Sequence, residues 1–177
     1  MAVRILTLVT NGRGGTGPGH SAVAVNDKVY SFEEFLGANT STKTSGWKIF
    51  GFAPYLKKNG HRPALVQWLT QVQEKRVLAY INESIRDDDD YGTSGVCSQQ
   101  VSMAIDYGLP KRNFNPRGFD TPYGVYHHAR NKGLVQREEY FWPNRAELNA
   151  LAWARIANKL KREYPLAYKH SKNGWTP

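Results

Sequence analysis

The chain of 177 residues has one cysteine, no long apolar run and a shortage of acidic side chains. Each scarcity excludes something. A single cysteine closes no internal disulfide and rules out a zinc site of four cysteines. No stretch approaches the roughly 20 consecutive apolar residues of a membrane-spanning helix. Residues 1–9 are a short alternating run with no small-residue cleavage site after them, so no secretory signal peptide is expected. Synthesis in the cytoplasm is the expectation, with any export by a signal-independent route. Fifteen acidic residues face 24 basic ones, a net charge of +9. That balance favours acidic partners: nucleic acid, an anionic membrane face or an anionic cell-wall polymer. No His-Glu-x-x-His occurs, and no Lys-Ser or Lys-Thr pair stands directly after the glycine-rich loop, so neither that zinc-protease motif nor a P-loop is present.

What is there suffices for a real core. Apolar residues make up 40% of the chain and aromatics 12%, a globular composition at a length that suits one domain over residues 1–177. Residues 2–10 (AVRILTLVT) alternate and read as a strand. Residues 11–19 (NGRGGTGPG) are a loop. Residues 20–26 and 28–33 predict a hairpin turning at Asn26-Asp27. A strand over 47–52 stops at Pro54, and 64–70 is β-like, with helix as the alternative. Residues 71–86 have helical spacing, with Val72, Val77, Leu78, Ile81 and Ile85 on one face. A helix carries Cys97 on its first turn and ends at Gly108 and Pro110. Residues 122–131 predict a short helix with Pro122 in its first turn, 134–142 a strand, and 144–163 a long helix capped by Asn144. The tail from Tyr164 is aromatic and basic. The fold class is therefore α+β.

Several motifs look functional and resolve otherwise. Gly12-Arg-Gly14-Gly-Thr-Gly17 matches G-x-G-x-x-G, but a dinucleotide site needs a helix next, and a β-like run follows. Asp87–Asp90 could bind a divalent cation, yet it lacks the glycine and distal glutamate of an EF-hand loop; a solvated acidic loop is the expectation. His127 and His128 are neighbours on a helix and point about 100° apart, so they suit packing better than one metal. Trp142, Trp153, Tyr164, Tyr168 and Trp175 resemble no nucleic-acid module, and Trp153 falls at core spacing. No metal, no cofactor and no specific nucleic acid are expected.

The chemistry concentrates on Cys97 and His20. Backbone N–H groups and the helix dipole favour a thiolate at a helix start. A cysteine nucleophile needs an imidazole in reach, and His20 opens a strand just after the glycine loop. A third polar group should orient that ring. Ser31 and Glu33, two residues apart on one strand face, are the candidates.

Gly19-His-Ser-Ala-Val-Ala-Val-Asn-Asp-Lys-Val-Tyr-Ser-Phe-Glu33 resembles the histidine hairpin of the NlpC/P60 superfamily, papain-like cysteine peptidases and amidases. The Cys97 segment resembles their nucleophile helix. Here His20 precedes Cys97, an order that resembles the circularly permuted branch with its bacterial effector-like hydrolases and acyltransferases. The likeness covers about residues 17–110. The third position falls nearest Ser31, where family members commonly carry His, Asn or Gln; Glu33 could substitute. The Asn-Cys-Glu-His signature of the retinol acyltransferase group is absent, since Ser98-Gln99-Gln100 follow Cys97. The resemblance implies a permuted papain-like fold, a small antiparallel sheet packed against helices. It implies cysteine hydrolysis of an amide bond with Cys97 as nucleophile and His20 as base, and Tyr91, Gly19 and Ser98 as oxyanion or cleft candidates. Peptidoglycan stem peptides, or another anionic envelope polymer, are the implied substrate. A secreted antibacterial effector, with an immunity protein and a secretion-system carrier as partners, is the implied setting. A thioesterase or acyltransferase of the same fold, or a non-enzymatic basic binding module, are the alternatives.

Overall fold

The computed structural model describes residues 2–9, 19–35, 44–89, 96–114, 121–143 and 150–174. Six strands form one antiparallel sheet: β1 (Val3–Leu8), β2 (His20–Val25), β3 (Lys28–Phe35), β4 (Thr44–Gly51), β5 (Ala64–Leu69) and β6 (Val135–Phe141). Their spatial order is β4-β3-β2-β1-β5-β6. The sheet is larger than the small one expected. The helices are α1 (Phe52–Lys58), α2 (Glu74–Arg86), α3 (Cys97–Gly108), α4 (Pro122–Asn131), α5 (Ala150–Glu163) and α6 (Pro165–Gly174). The α+β class holds.

Most elements follow the sequence pattern. The β2–β3 hairpin turns at Asn26, whose φ of 53° an asparagine tolerates. Thr121 Oγ1 caps α4 by accepting Gly124 N–H at 3.1 Å, with Pro122 in the first turn. Two helices depart from expectation. Pro54 does not merely stop a strand; it lies in the first turn of α1, where its missing N–H would have had no partner anyway. The tail after Tyr164 is a helix, α6, held by Ala167 against Ile156, Leu160 and Tyr164. Strand β1 also differs from an alternating, half-wet strand. All six of its residues are buried because both faces of the sheet are covered around it. Arg4 is consequently buried, with its guanidinium over Phe52 (3.9 Å) and Trp68 (4.6 Å).

The sheet buries both faces. Val3, Ile5, Val23, Val25, Tyr30 and Leu69 pack with Val77, Ile81, Val101, Ala104 and Ile105 of α2 and α3. On the other face Leu6, Leu8, Ala22, Ala24, Val29, Ala64 and Val66 pack around Tyr55 of α1. At an order of ~25 cal/mol per Å² of apolar surface buried, these two clusters supply the main drive for folding.

Candidate functional site

Register gathers the site at one end of the sheet. Leu8 pairs with His20 on one side and Ala64 on the other, while Val3 pairs with Val25 and Leu69 at the opposite end. The end of β1, the start of β2 and the start of β5 therefore lie together. Helix α3 ends at the far side, where Gln73 N–H donates to Gly108 O at 2.9 Å. It packs along β2 and β3 and runs back about 18 Å at 1.5 Å per residue. Its N-terminus thus lies toward the His20 end, but α3 packs on the Val23–Val25 face of the sheet, whereas His20 and Ser31 alternate with Ala22, Ala24 and Val29 on the Tyr55 face.

Gly19, at φ 103°, adopts a backbone conformation open to glycine directly before His20. His20 Nε2 lies 2.7 Å from Ser31 Oγ. Ser31 Oγ donates to Glu33 Oε1 at 2.8 Å and also lies 3.2 Å from the Tyr55 hydroxyl. A hydroxyl has one proton and two lone pairs. With that proton on Glu33, both other groups must donate to Ser31. His20 therefore carries its proton on Nε2, and the Nδ1 lone pair is the basic one. Both sequence candidates for the third position are in the network: Ser31 touches the ring, and Glu33 polarises Ser31. Lys58 Nζ lies 3.8 Å from the second Glu33 oxygen, at the wet edge of the cluster.

The electrostatics keep the ring neutral and Tyr55 protonated. Burial, and next the charge of Arg62, depress the His20 pKa to about 4; Glu33 opposes them and Lys58 assists. The imidazole is therefore neutral at pH 7. Burial raises the Tyr55 hydroxyl well above its ordinary value, so it stays protonated as a donor. Burial also lowers the Arg62 guanidinium, against the pull of Tyr55, Glu33 and Cys97. Cys97 thus acts electrostatically on both Tyr55 and Arg62.

Cys97 is the first residue of α3 and is only 5% exposed. Gln99 Oε1 accepts the Val96 N–H at 2.9 Å and steadies that turn. Ser98, a cleft candidate from the sequence, is fully buried, and its hydroxyl has no partner among the described residues. Tyr91, the other oxyanion candidate, lies outside the described residues, as do the glycine-rich loop at Gly12–Gly17, Asp90 and Trp175.

The remaining motifs take structural parts. Asp89 Oδ2 accepts the Ser84 hydroxyl, which in turn accepts Trp47 Nε1–H at 2.9 Å, tying β4 to α2. His127 Nε2 lies 2.6 Å from Glu163 O, and His128 Nε2 lies 2.7 Å from Phe114 O. No cluster of three or more metal-ligating side chains occurs among the described residues, and no helix among them is long and apolar enough to cross a membrane.

Sequence reasoning missed Tyr55 and Arg62. The signal for Tyr55 was a proline three residues after Gly51 with Lys57-Lys58 following, the pattern of a short helix with a basic last turn. Arg62 carries no such signal, because a loop arginine is ordinarily solvated. Against protein-family models, curated proteins and solved structures, the chain matches none.

Proposed function

We propose that this protein is a cysteine hydrolase that cleaves an amide bond, with the chain order of the permuted papain-like enzymes. The observation that supports the reading is the 2.7 Å bond of His20 Nε2 to Ser31, which leaves Nδ1 free to act as the base, with α3 starting toward the same end of the sheet. His20 Nδ1 takes the Cys97 proton. The sulfur attacks the carbonyl carbon, and the developing oxyanion is stabilised by N–H groups at the start of α3. The tetrahedral intermediate collapses to an acyl-sulfur bond, and the imidazolium protonates the departing amine. Water, deprotonated by His20, then releases the acid. Each time the imidazole becomes positive, the Glu33 carboxylate stabilises it through the Ser31 hydroxyl.

Peptidoglycan stem peptides are the proposed substrate. The support is chemical: a net charge of +9 suits an anionic wall. On this reading the protein acts as a secreted antibacterial effector, restrained by an immunity protein in the producing cell. Purified peptidoglycan and an acyl ester, each incubated with wild type, Cys97→Ala and His20→Ala, test the reading. The expected result is new amine and carboxyl termini in peptidoglycan, reduced at least ~10³-fold in both variants. Cleavage of the ester alone would favour the thioesterase alternative. Equal activity in all three proteins would overturn a catalytic role for the pair.

A further inference from the structure

We propose that Arg62 reads a carboxylate on the acyl side of the substrate, beside the carbonyl that Cys97 attacks. The inference rests on the reading of Cys97 as nucleophile and narrows its substrate to acyl groups bearing a nearby negative charge.

Position comes first. Arg62 lies two residues before Ala64, which pairs with Leu8 opposite His20. Val9 N–H donates to Pro63 O at 2.9 Å and fixes this loop to the end of β1. The side chain is tethered through α1: Arg62 Nη2 donates to Asn59 Oδ1 at 2.7 Å, and Asn59 Nδ2 donates to Tyr55 O at 3.0 Å. The guanidinium is thus held beside the Ser31–Tyr55 network rather than swinging in solvent.

Its bonding is incomplete for a cation so placed. A guanidinium has five donors. Among the described residues its side chain makes the bond to Asn59 and no ion pair, and the Nε donor is shut away from water without a partner. Arg62 is half-buried, and a donor shut away from water without a partner is a cost to it. The carboxylate of this cluster, Glu33, is engaged by Ser31 and Lys58. The other groups around the site are His20 on β2, Tyr55 and Lys58 on α1, and Cys97 on α3, and Tyr55, Glu33 and Cys97 are near enough to act electrostatically on Arg62. None of them gives the planar fork its match. A carboxylate does, through two parallel N–H···O bonds.

The test uses two alkylating reagents of nearly equal size, iodoacetate and iodoacetamide. In each, the Cys97 sulfur attacks the methylene carbon, a thioether forms, iodide departs with the bonding pair, and the thiol proton passes to His20. Only iodoacetate carries a carboxylate. Rates at Cys97, followed by mass spectrometry at pH 7, give a selectivity ratio that requires no natural substrate. Wild type is expected to favour iodoacetate, and Arg62→Gln to lose about tenfold in that ratio, the scale of one charge pair in partly desolvated surroundings. Arg62→Lys, which keeps the charge, should retain most of it, and Asn59→Ala, which frees the guanidinium, should lose part. An unchanged ratio in Arg62→Gln, or in Asn59→Ala if Arg62→Gln does not fold, overturns the assignment and leaves the nucleophile reading standing. Failure of both reagents to label folded wild type, with labelling restored in urea, overturns both.

Discussion

Ser31 shows how one hydroxyl can organise a site. It donates a hydrogen bond to Glu33 and accepts two, from His20 and Tyr55. All its hydrogen-bonding capacity is used, which fixes the ring tautomer without any direct contact between Glu33 and His20. The depressed His20 pKa carries a stability consequence with a definite sign. The unfolded chain takes up this proton near pH 6.5, the folded chain only near pH 4. Between those values the unfolded state binds more protons, so stability rises with pH through the window. Above pH 6.5 the contribution is flat; from 6.5 down toward 4 the fold loses roughly 1.4 kcal/mol per pH unit. Histidine proton shifts followed by NMR should show one ring titrating near pH 4, absent in His20→Gln, and the acid arm of the stability curve should flatten in that variant. A midpoint near 6.5 for His20 would show that the ring is solvated and the network open. At this scale the sequence was informative about type. Period-two spacing put residues 31 and 33 on one face, but the strand pattern does not say which of them meets the imidazole.

Helix α3 depends on a close joint at its other end. A Cβ built at Gly108 would lie 2.6 Å from Val72 Cγ1 and 2.7 Å from Val77 Cγ2. Both are branched side chains in or against the main core. Gly108→Ala gains up to about 1 kcal/mol of helix propensity but overpacks this joint at a cost of about 1–3 kcal/mol. A net loss near 1 kcal/mol, or about 2–4 °C in melting temperature, is the expected result of a thermal melt. An equal or higher melting temperature would mean that α2 and α3 are not this closely set. Helices α2, α3 and α4 were legible from periodicity and stop signals because each has enough turns for a pattern. Helix α1 has two turns, and its proline read as a terminator. Helix α6 was hidden because its aromatic and basic residues look like a solvated tail until α5 offers Ile156 and Leu160 as a surface.

Across the whole molecule, the sheet's second edge is held by a carboxylate. Glu138 of β6 accepts Gln67 Nε2–H (3.0 Å), Arg130 Nη1–H (2.7 Å), Tyr126 O–H (3.0 Å) and Tyr140 O–H (2.6 Å). These bonds join β6, β5 and α4. Burial would raise the Glu138 pKa, but hydrogen bonds from Tyr140 and Gln67, with the charge of Arg130, more than offset it. Glu138→Gln keeps the shape, removes the charge and turns one acceptor into a donor facing donors. The Arg130 side chain is one-third exposed, which moderates the penalty of an unpaired cation to about 2 kcal/mol, below the 3–5 of a fully buried pair. Urea denaturation should show that loss, with the iodoacetamide rate at Cys97 unchanged because the network sits on the β6 side of the sheet. A stability equal to wild type would show that Gln satisfies the same partners. The sheet itself exceeded the sequence expectation, since strand patterns count strands but do not say that hairpin and C-terminal strands join around β1.

The sequence alone determined what is local: the alternation of the strands, the Asn26 turn, the helix that starts at Cys97, the histidine at a strand mouth and the basic surface. Each follows from periodicity or from the conformational preference of a few neighbouring residues. The tertiary structure decided who meets whom. That Ser31 rather than Glu33 touches His20, that Tyr55 completes the hydroxyl's bonds, and that Arg62 stands beside them all depend on Leu8 pairing at once with His20 and Ala64. Such pairing joins residues dozens of positions apart, and only the packing of both sheet faces selects its register.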